Sequence, residues 1–127
     1  MARILIVEDD PAQREIYTQL LYYNGFEVIT AEDGEHGVRL AFEQRPDAIV
    51  MDIMLPVMSG LTAAALIRAN PLTANTPIIF MSAYSMLQEH VSGSGGREFL
   101  LKPVRGDRLV LAIRRHIGWD EIEPIAQ

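Results

Sequence analysis

A doubly wound α/β fold, built on a five-stranded parallel sheet with helices on both faces, is the class this sequence predicts. Three observations point there. Five short apolar runs recur along the chain, each run is continuous rather than alternating, and amphipathic stretches separate them. Continuous aliphatic runs suit strands covered on both faces, and a repeated β–α alternation makes such strands parallel. The chain has 127 residues, 49% of them hydrophobic, which fits one domain with a real core.

The runs are Arg3–Val7, Phe26–Thr30, Ala48–Met51, Ile78–Met81 and Phe99–Leu101. Between the first two, Pro11 suits a first helical turn. Ile16 and Leu20 follow at i,i+4 spacing, and Asn24-Gly25 stops the helix. Asp33-Gly34 opens a second helix with Val38, Ala41 and Phe42 on one face, ended by Pro46. A third runs from about Leu61 to Ala69, before Pro71. The last, about Asp107 to Ile117, turns Leu109, Ala112, Ile113 and Ile117 toward the core.

Composition removes several function classes. A net charge of -6 argues against direct nucleic-acid binding, which recruits clustered Lys and Arg. The absence of cysteine excludes disulfides and thiolate metal sites. No apolar run exceeds five residues, far short of the ~20 of a membrane helix. The chain enters its first strand with no signal-peptide pattern. The expectation is a cytoplasmic protein without membrane contact.

In an open α/β sheet, ligands sit beyond the carboxyl ends of the strands, at the topological switch point. Here the first strand ends in Glu8-Asp9-Asp10 and the third in Asp52. Ser82 follows the fourth, and Lys102-Pro103 the fifth. If these ends converge, two carboxylates ~4 Å apart repel by ~4 kcal/mol at an effective dielectric of 20. Hard oxygens with open positions favour Mg²⁺. Lys102 offers a point charge for a phosphoryl oxygen or for Asp52, and Ser82 a hydrogen bond. Such a group is a phosphoryl site with a carboxylate nucleophile at its centre.

Other residues carry plainer readings. Asp10, before Pro11, is placed to cap the first helix rather than to bind metal. Met51, Met54, Met58 and Met81 read as packing residues. His36, His90 and His116 have no ligand spacing. Tyr17, Tyr22 and Tyr23 read as packing on the first helix, and Arg105, Arg108, Arg114 and Arg115 as a solvated helix surface.

Four motifs now stand in order: ILIVEDD at 4–10, DIMLPVMSG at 52–60, IIFMSAY at 78–84 and FLLKP at 99–103. Together they resemble the receiver domains of two-component response regulators, over residues 3 to about 117. The resemblance implies a CheY-like, flavodoxin-like (βα)5 sheet of strand order 2-1-3-4-5. It implies that Asp52 accepts a phosphoryl group from a phosphohistidine on a histidine kinase or histidine phosphotransfer protein. Glu8 and Asp9 match the acidic pair, with Asp9 a direct Mg²⁺ ligand and Glu8 acting partly through water. Met54 would lend its backbone carbonyl to the metal.

Ser82 matches the hydroxyl switch residue and Lys102 the phosphate-binding lysine, before a cis peptide bond to Pro103. Phe99 takes the aromatic switch position, and Tyr84 one that influences access to the phosphoryl group. Phosphorylation would draw Ser82 inward, let Phe99 fill the space and shift a surface equilibrium by typically ~1–3 kcal/mol. The implied protein is a signalling switch rather than an enzyme, promoting its own phosphorylation and dephosphorylation. It would meet a downstream protein target as a monomer or weak homodimer.

The segment between Ser82 and Lys102 departs from the family. Receivers place a full fourth helix there, whereas MLQEHVSGSGGREF puts three glycines and two serines at 92–96. Each Gly costs ~1 kcal/mol relative to Ala in a helix. The expectation is a short, displaced or mobile helix, with only Met86, Leu87 and Val91 to form an apolar stripe.

The expected organisation is a receiver over residues 1–118 and a short tail over 119–127, in which Trp119 folds back on the helix end. With no output domain after the last helix, a stand-alone receiver is expected. The alternatives are a receiver fragment of a longer regulator or hybrid kinase, or a phosphorylation-independent interaction module. An aspartyl-phosphate phosphatase would want an acid two residues past Asp52, where Met54 stands.

Overall fold

The computed structural model describes residues 1–118. Five strands, β1 (Arg3–Val7), β2 (Glu27–Ala31), β3 (Ala48–Asp52), β4 (Ile78–Ser82) and β5 (Glu98–Leu101), alternate with four α-helices. These are α1 (Pro11–Tyr23), α2 (Gly34–Gln44), α3 (Gly60–Ala69) and α4 (Gly106–Ile117). All strand pairs are parallel, in the order β2-β1-β3-β4-β5. This is the doubly wound, flavodoxin-like arrangement, and its order reverses beside β1 and β3.

Alternating residues of the central strands feed two apolar layers. Ile4, Ile6, Val50, Ile79 and Met81 pack with Leu21 of α1 and Leu109 and Ile113 of α4. Leu5, Val7, Ile49, Met51, Ile78 and Phe80 pack with Val38 and Ala41 of α2 and Ala63 and Ile67 of α3. With both faces covered, the strands had to be apolar throughout. Three helices begin on side-chain caps: Asp10 accepts from the amide of Ala12 (2.9 Å), Asp33 from His36 (2.8 Å) and Ser59 from Thr62 (3.2 Å).

The structure corrects two details. Ile16 does not face the core: it is 64% exposed, and Tyr17 and Leu21 turn inward instead. Apolar residues at 16, 17, 20 and 21 form two adjacent stripes, and spacing alone does not say which one the sheet covers. The second strand starts one residue late. Phe26, buried, donates its amide to the Leu21 carbonyl (3.0 Å) and closes the end of α1 first.

No α-helix forms between β4 and β5. Two 3₁₀ turns, Ser85–His90 and Ser92–Ser94, occupy the segment, with Val91 buried and Met86 exposed. Gly95 follows at φ +87°, a left-handed conformation that glycine adopts freely. Its carbonyl accepts from Nε and Nη2 of Arg68 on α3 (3.1 and 2.9 Å), and Arg68 Nη1 also donates to the Ala74 carbonyl (2.9 Å). One guanidinium thus ties α3, the loop after it and the glycine-rich turn. Trp119 and the tail 119–127 lie outside the described residues.

Candidate phosphoryl and metal site

Register brings the expected residues to one rim. Val7 pairs with Met51, Asp52 with Met81, and Ser82 with Leu101, so Glu8 and Asp52 emerge side by side, and Ser82 and Lys102 follow at successive one-residue steps along the same rim. Glu8 and Asp52 are buried at 1% and 5% exposure, while Asp9 is exposed. One carboxylate oxygen from each of the three lies within 4.8 Å of the others.

Lys102, the sole lysine of the chain, supplies the counter-charge. Its Nζ donates to Asp52 Oδ2 at 2.7 Å and to Glu8 Oε1 at 2.9 Å. The peptide bond to Pro103 is cis. Burial pushes the Glu8 carboxyl above its ordinary range; the Lys102 hydrogen bond opposes this, and the nearby Asp52 charge adds to it. For Lys102, burial works against the ammonium, but the hydrogen bonds to Asp52 and Glu8 prevail and raise its pKa.

Backbone groups complete the cluster. Asp52 Oδ1 accepts from the Met54 amide (3.0 Å), and Glu8 Oε2 from the Asp10 amide (3.2 Å). The Met54 side chain is 56% exposed, so its part in the site belongs to its backbone. Ser82 is buried, and its Oγ accepts from the Tyr84 amide (3.0 Å). Tyr84 itself is exposed. Phe99 is half-buried against the layer that contains Phe80, and it lines a cavity of about 280 Å³ with Ser85, Leu101 and Arg105.

Asp10 is turned to its helix cap, with its pKa lowered by the Ala12 amide and the Gln13 side chain. His116 pairs with Glu98 (2.8 Å), as does Arg115 (2.8 Å), and His90 is exposed. Tyr17 is buried, whereas Tyr22 and Tyr23 are exposed, their rings meeting edge to face.

Arg14 escaped the sequence reading. Its Nη1 donates to the Glu8 carbonyl (2.8 Å) and so holds the acidic loop to α1. Nothing in a lone arginine one turn into a helix signals that contact.

Three carboxylates of hard oxygen, one of them exposed, beside a single half-buried ammonium match the donor set of a small divalent cation that keeps part of its water. Among the described residues this is the only cluster of three or more potential metal ligands. No helix there is long and apolar enough to cross a membrane.

Comparison with known proteins places the same arrangement in a larger group. A family model described as the response regulator receiver domain matches residues 4–114. Protein PilH of Pseudomonas aeruginosa is 36% identical over 115 residues, which are 89% of this chain and 95% of PilH. The DNA-binding dual master transcriptional regulator RpaA of Synechocystis is 34% identical over 116 residues, 90% of this chain but 48% of RpaA. The chain therefore spans about half the length of some curated relatives that it matches. The receiver domain of the sensor histidine kinase PA1611 of Pseudomonas aeruginosa, solved with a magnesium ion coordinated in its active-site cleft, superposes with a TM-score of 0.86. It is 35% identical, over 92% of this chain and 98% of that one.

Proposed function

The chain belongs to the response regulator receiver domain family, and from that membership we propose that it is a Mg²⁺-dependent phosphoacceptor switch in which Asp52 takes a phosphoryl group from a phosphohistidine. The donor is a histidine kinase or a histidine phosphotransfer protein. The observation that carries this reading is the Lys102 ammonium, held between the buried carboxylates of Asp52 and Glu8 at 2.7 and 2.9 Å.

Asp9 and Asp52, the Met54 carbonyl and, through water, Glu8 would hold the cation. When bound, it supplies positive charge beside the transferring group. An Asp52 oxygen attacks phosphorus in line. The P–O bond forms as the P–N bond to the donor imidazole breaks, and the electron pair stays on the imidazole nitrogen.

Lys102 exchanges the Asp52 oxygen for a phosphoryl oxygen while keeping its bond to Glu8, which limits its movement. Ser82 gives up the Tyr84 amide and turns its hydroxyl to donate to the phosphoryl group. Release of that amide loosens the start of the 3₁₀ segment, and Phe99 takes the space that Ser82 leaves. Tyr84, exposed beside the site, screens the aspartyl phosphate from water.

The output is contact with a protein target, made by a monomer or weak homodimer; the net charge of -6 supports this over a nucleic-acid surface. Similarity over 95% of PilH supports a unit of about this size.

Intact-mass spectrometry tests the assignment directly. With Mg²⁺ and a cognate kinase or acetyl phosphate, the parent gains one phosphoryl group. Chelation of the metal and Asp52→Asn each abolish the gain. Equal phosphate uptake by Asp52→Asn would remove Asp52 from the role.

A further inference from the structure

The loop after β3 carries Met54, whose amide bonds the Asp52 carboxylate. Its own hydrogen bonds are few: Leu55 to Ile53, Met58 to Pro56, and Gly60 to Ile53. Val57 within it adopts φ +69°, a left-handed conformation unfavourable for a β-branched residue. A loop with a strained residue keeps its shape only where its surroundings over-determine it.

Part of that constraint comes from a distant element. Gly34, the first residue of α2, lies against the Met58 backbone so closely that a Cβ there would overlap the Met58 carbonyl oxygen. The same Cβ would reach the Met58 carbonyl carbon and Cβ at 3.0 Å. The obstacle is backbone, which cannot swing aside as a side chain can. Asp33 fixes the height of this contact by capping α2 through the His36 amide at 2.8 Å. Leu55 and Met58 of the loop pack on the layer that also holds Val38 and Ala41 of α2.

We propose that Gly34 is a positioning residue for the phosphoryl site: its missing side chain lets the start of α2 seat against Met58, which sets the loop carrying the Met54 backbone beside Asp52. The proposal rests on the phosphoacceptor reading of Asp52. It concerns Gly34 acting through the loop, since Gly34 touches no reacting group.

The test compares Gly34→Ala with Gly106→Ala. Both glycines open an α-helix, but a Cβ at Gly106 meets only the flexible end of the Leu20 side chain, at 3.1 Å. In the metal-free proteins, the Met54 and Met58 amide resonances move in Gly34→Ala and stay in Gly106→Ala. Mg²⁺ titration followed by nuclear magnetic resonance then gives Gly34→Ala a dissociation constant raised roughly tenfold, the scale of lost outer support at a metal site. Phosphorylation from a small donor slows in parallel.

A Gly34→Ala protein of lower melting temperature, but with the parent's Met54 resonance and Mg²⁺ affinity, would reduce Gly34 to a stability role and overturn the proposal. If Gly34→Ala does not fold, Asp33→Ala decides. It loosens the same helix start without overlap and should move the same Met54 amide; an unmoved amide with unchanged affinity overturns the proposal. A parent that itself takes up no phosphate would count against the reading of Asp52. A parent that is phosphorylated beside an indifferent Gly34→Ala counts against Gly34 alone.

Discussion

At Glu8, burial and function pull in opposite directions. The carboxyl is 1% exposed, and burial raises its pKa above the ordinary 4.5 despite the Lys102 hydrogen bond. A folded pKa above the unfolded one means that the folded chain holds this proton more tightly. The Glu8 contribution to stability is therefore greatest below about 4.5 and falls as pH rises through the raised value. At neutral pH, well above the unfolded value, burial of the Glu8 carboxyl costs the metal-free protein stability. Glu8→Gln, which imitates the neutral form, should raise the melting temperature at pH 7 without metal by roughly 2–6 °C. Mg²⁺ affinity should fall in the same variant. Scanning calorimetry with Mg²⁺ titration checks both, and a lower melting temperature would show that the Lys102–Glu8 bond outweighs the burial. Glu8, Asp52, Ser82 and Lys102 were legible in the sequence because each directly follows an apolar run, with Asp9 next to Glu8, and parallel register brings the ends of such runs to one rim. Arg14 was not, because its partner is a main-chain carbonyl, which every residue has.

Among the elements, the stretch between β4 and β5 holds its course by a long-range tie rather than by helical periodicity. Arg68 makes charged hydrogen bonds to the Gly95 and Ala74 carbonyls, and its own pKa is lowered by burial and by the neighbouring Arg97 charge. Arg68→Met should therefore destabilise the fold by about 2 kcal/mol, the scale of hydrogen bonds to a charged group. Urea unfolding measures the loss. Hydrogen exchange should place it, with faster exchange at the Ser94 and Gly96 amides, which donate to the Val91 carbonyl, and unchanged exchange in β1 and β3. Uniform acceleration would mean that Arg68 supports the whole fold rather than this turn. The glycines told the sequence reading that an ordinary helix would fail there. They did not tell what replaces it, because Arg68 stands 27 residues from Gly95 and looks like any basic residue in a last helical turn. The phase of α1 was hidden for a different reason: Ile16 and Tyr17 are both apolar enough to be buried, and the sheet chose Tyr17.

For the molecule as a whole, β1, β3 and β5 each deliver a charged residue to one rim, so protonation, folding stability and the binding of any cation there would be linked. Only the folded chain brings Glu8, Asp9 and Asp52 within 4.8 Å of one another. A cation held by this set binds the native state and not the unfolded one, and stabilises it by about 2.7 kcal/mol at a hundredfold excess over its dissociation constant. Protons compete for the same oxygens, and the raised pKa of Glu8 extends that competition above pH 4.5. Lys102 does not reverse the trend at neutral pH. Its pKa is raised above 10.5, so its ammonium stays charged, and its contribution is lost only as pH climbs through that higher value. The gain in melting temperature on adding Mg²⁺ should therefore be larger at pH 8 than at pH 5. Sodium chloride at equal ionic strength should not reproduce it, because screening acts on exposed charges and two of these three acids are buried. Asp9→Asn, which removes the exposed acid, should abolish most of the gain and leave the metal-free melting temperature nearly unchanged. Thermal scans of parent and variant across this pH range make the measurement. A Mg²⁺ effect equal at both pH values, or one that survives in Asp9→Asn, would place the cation away from this rim.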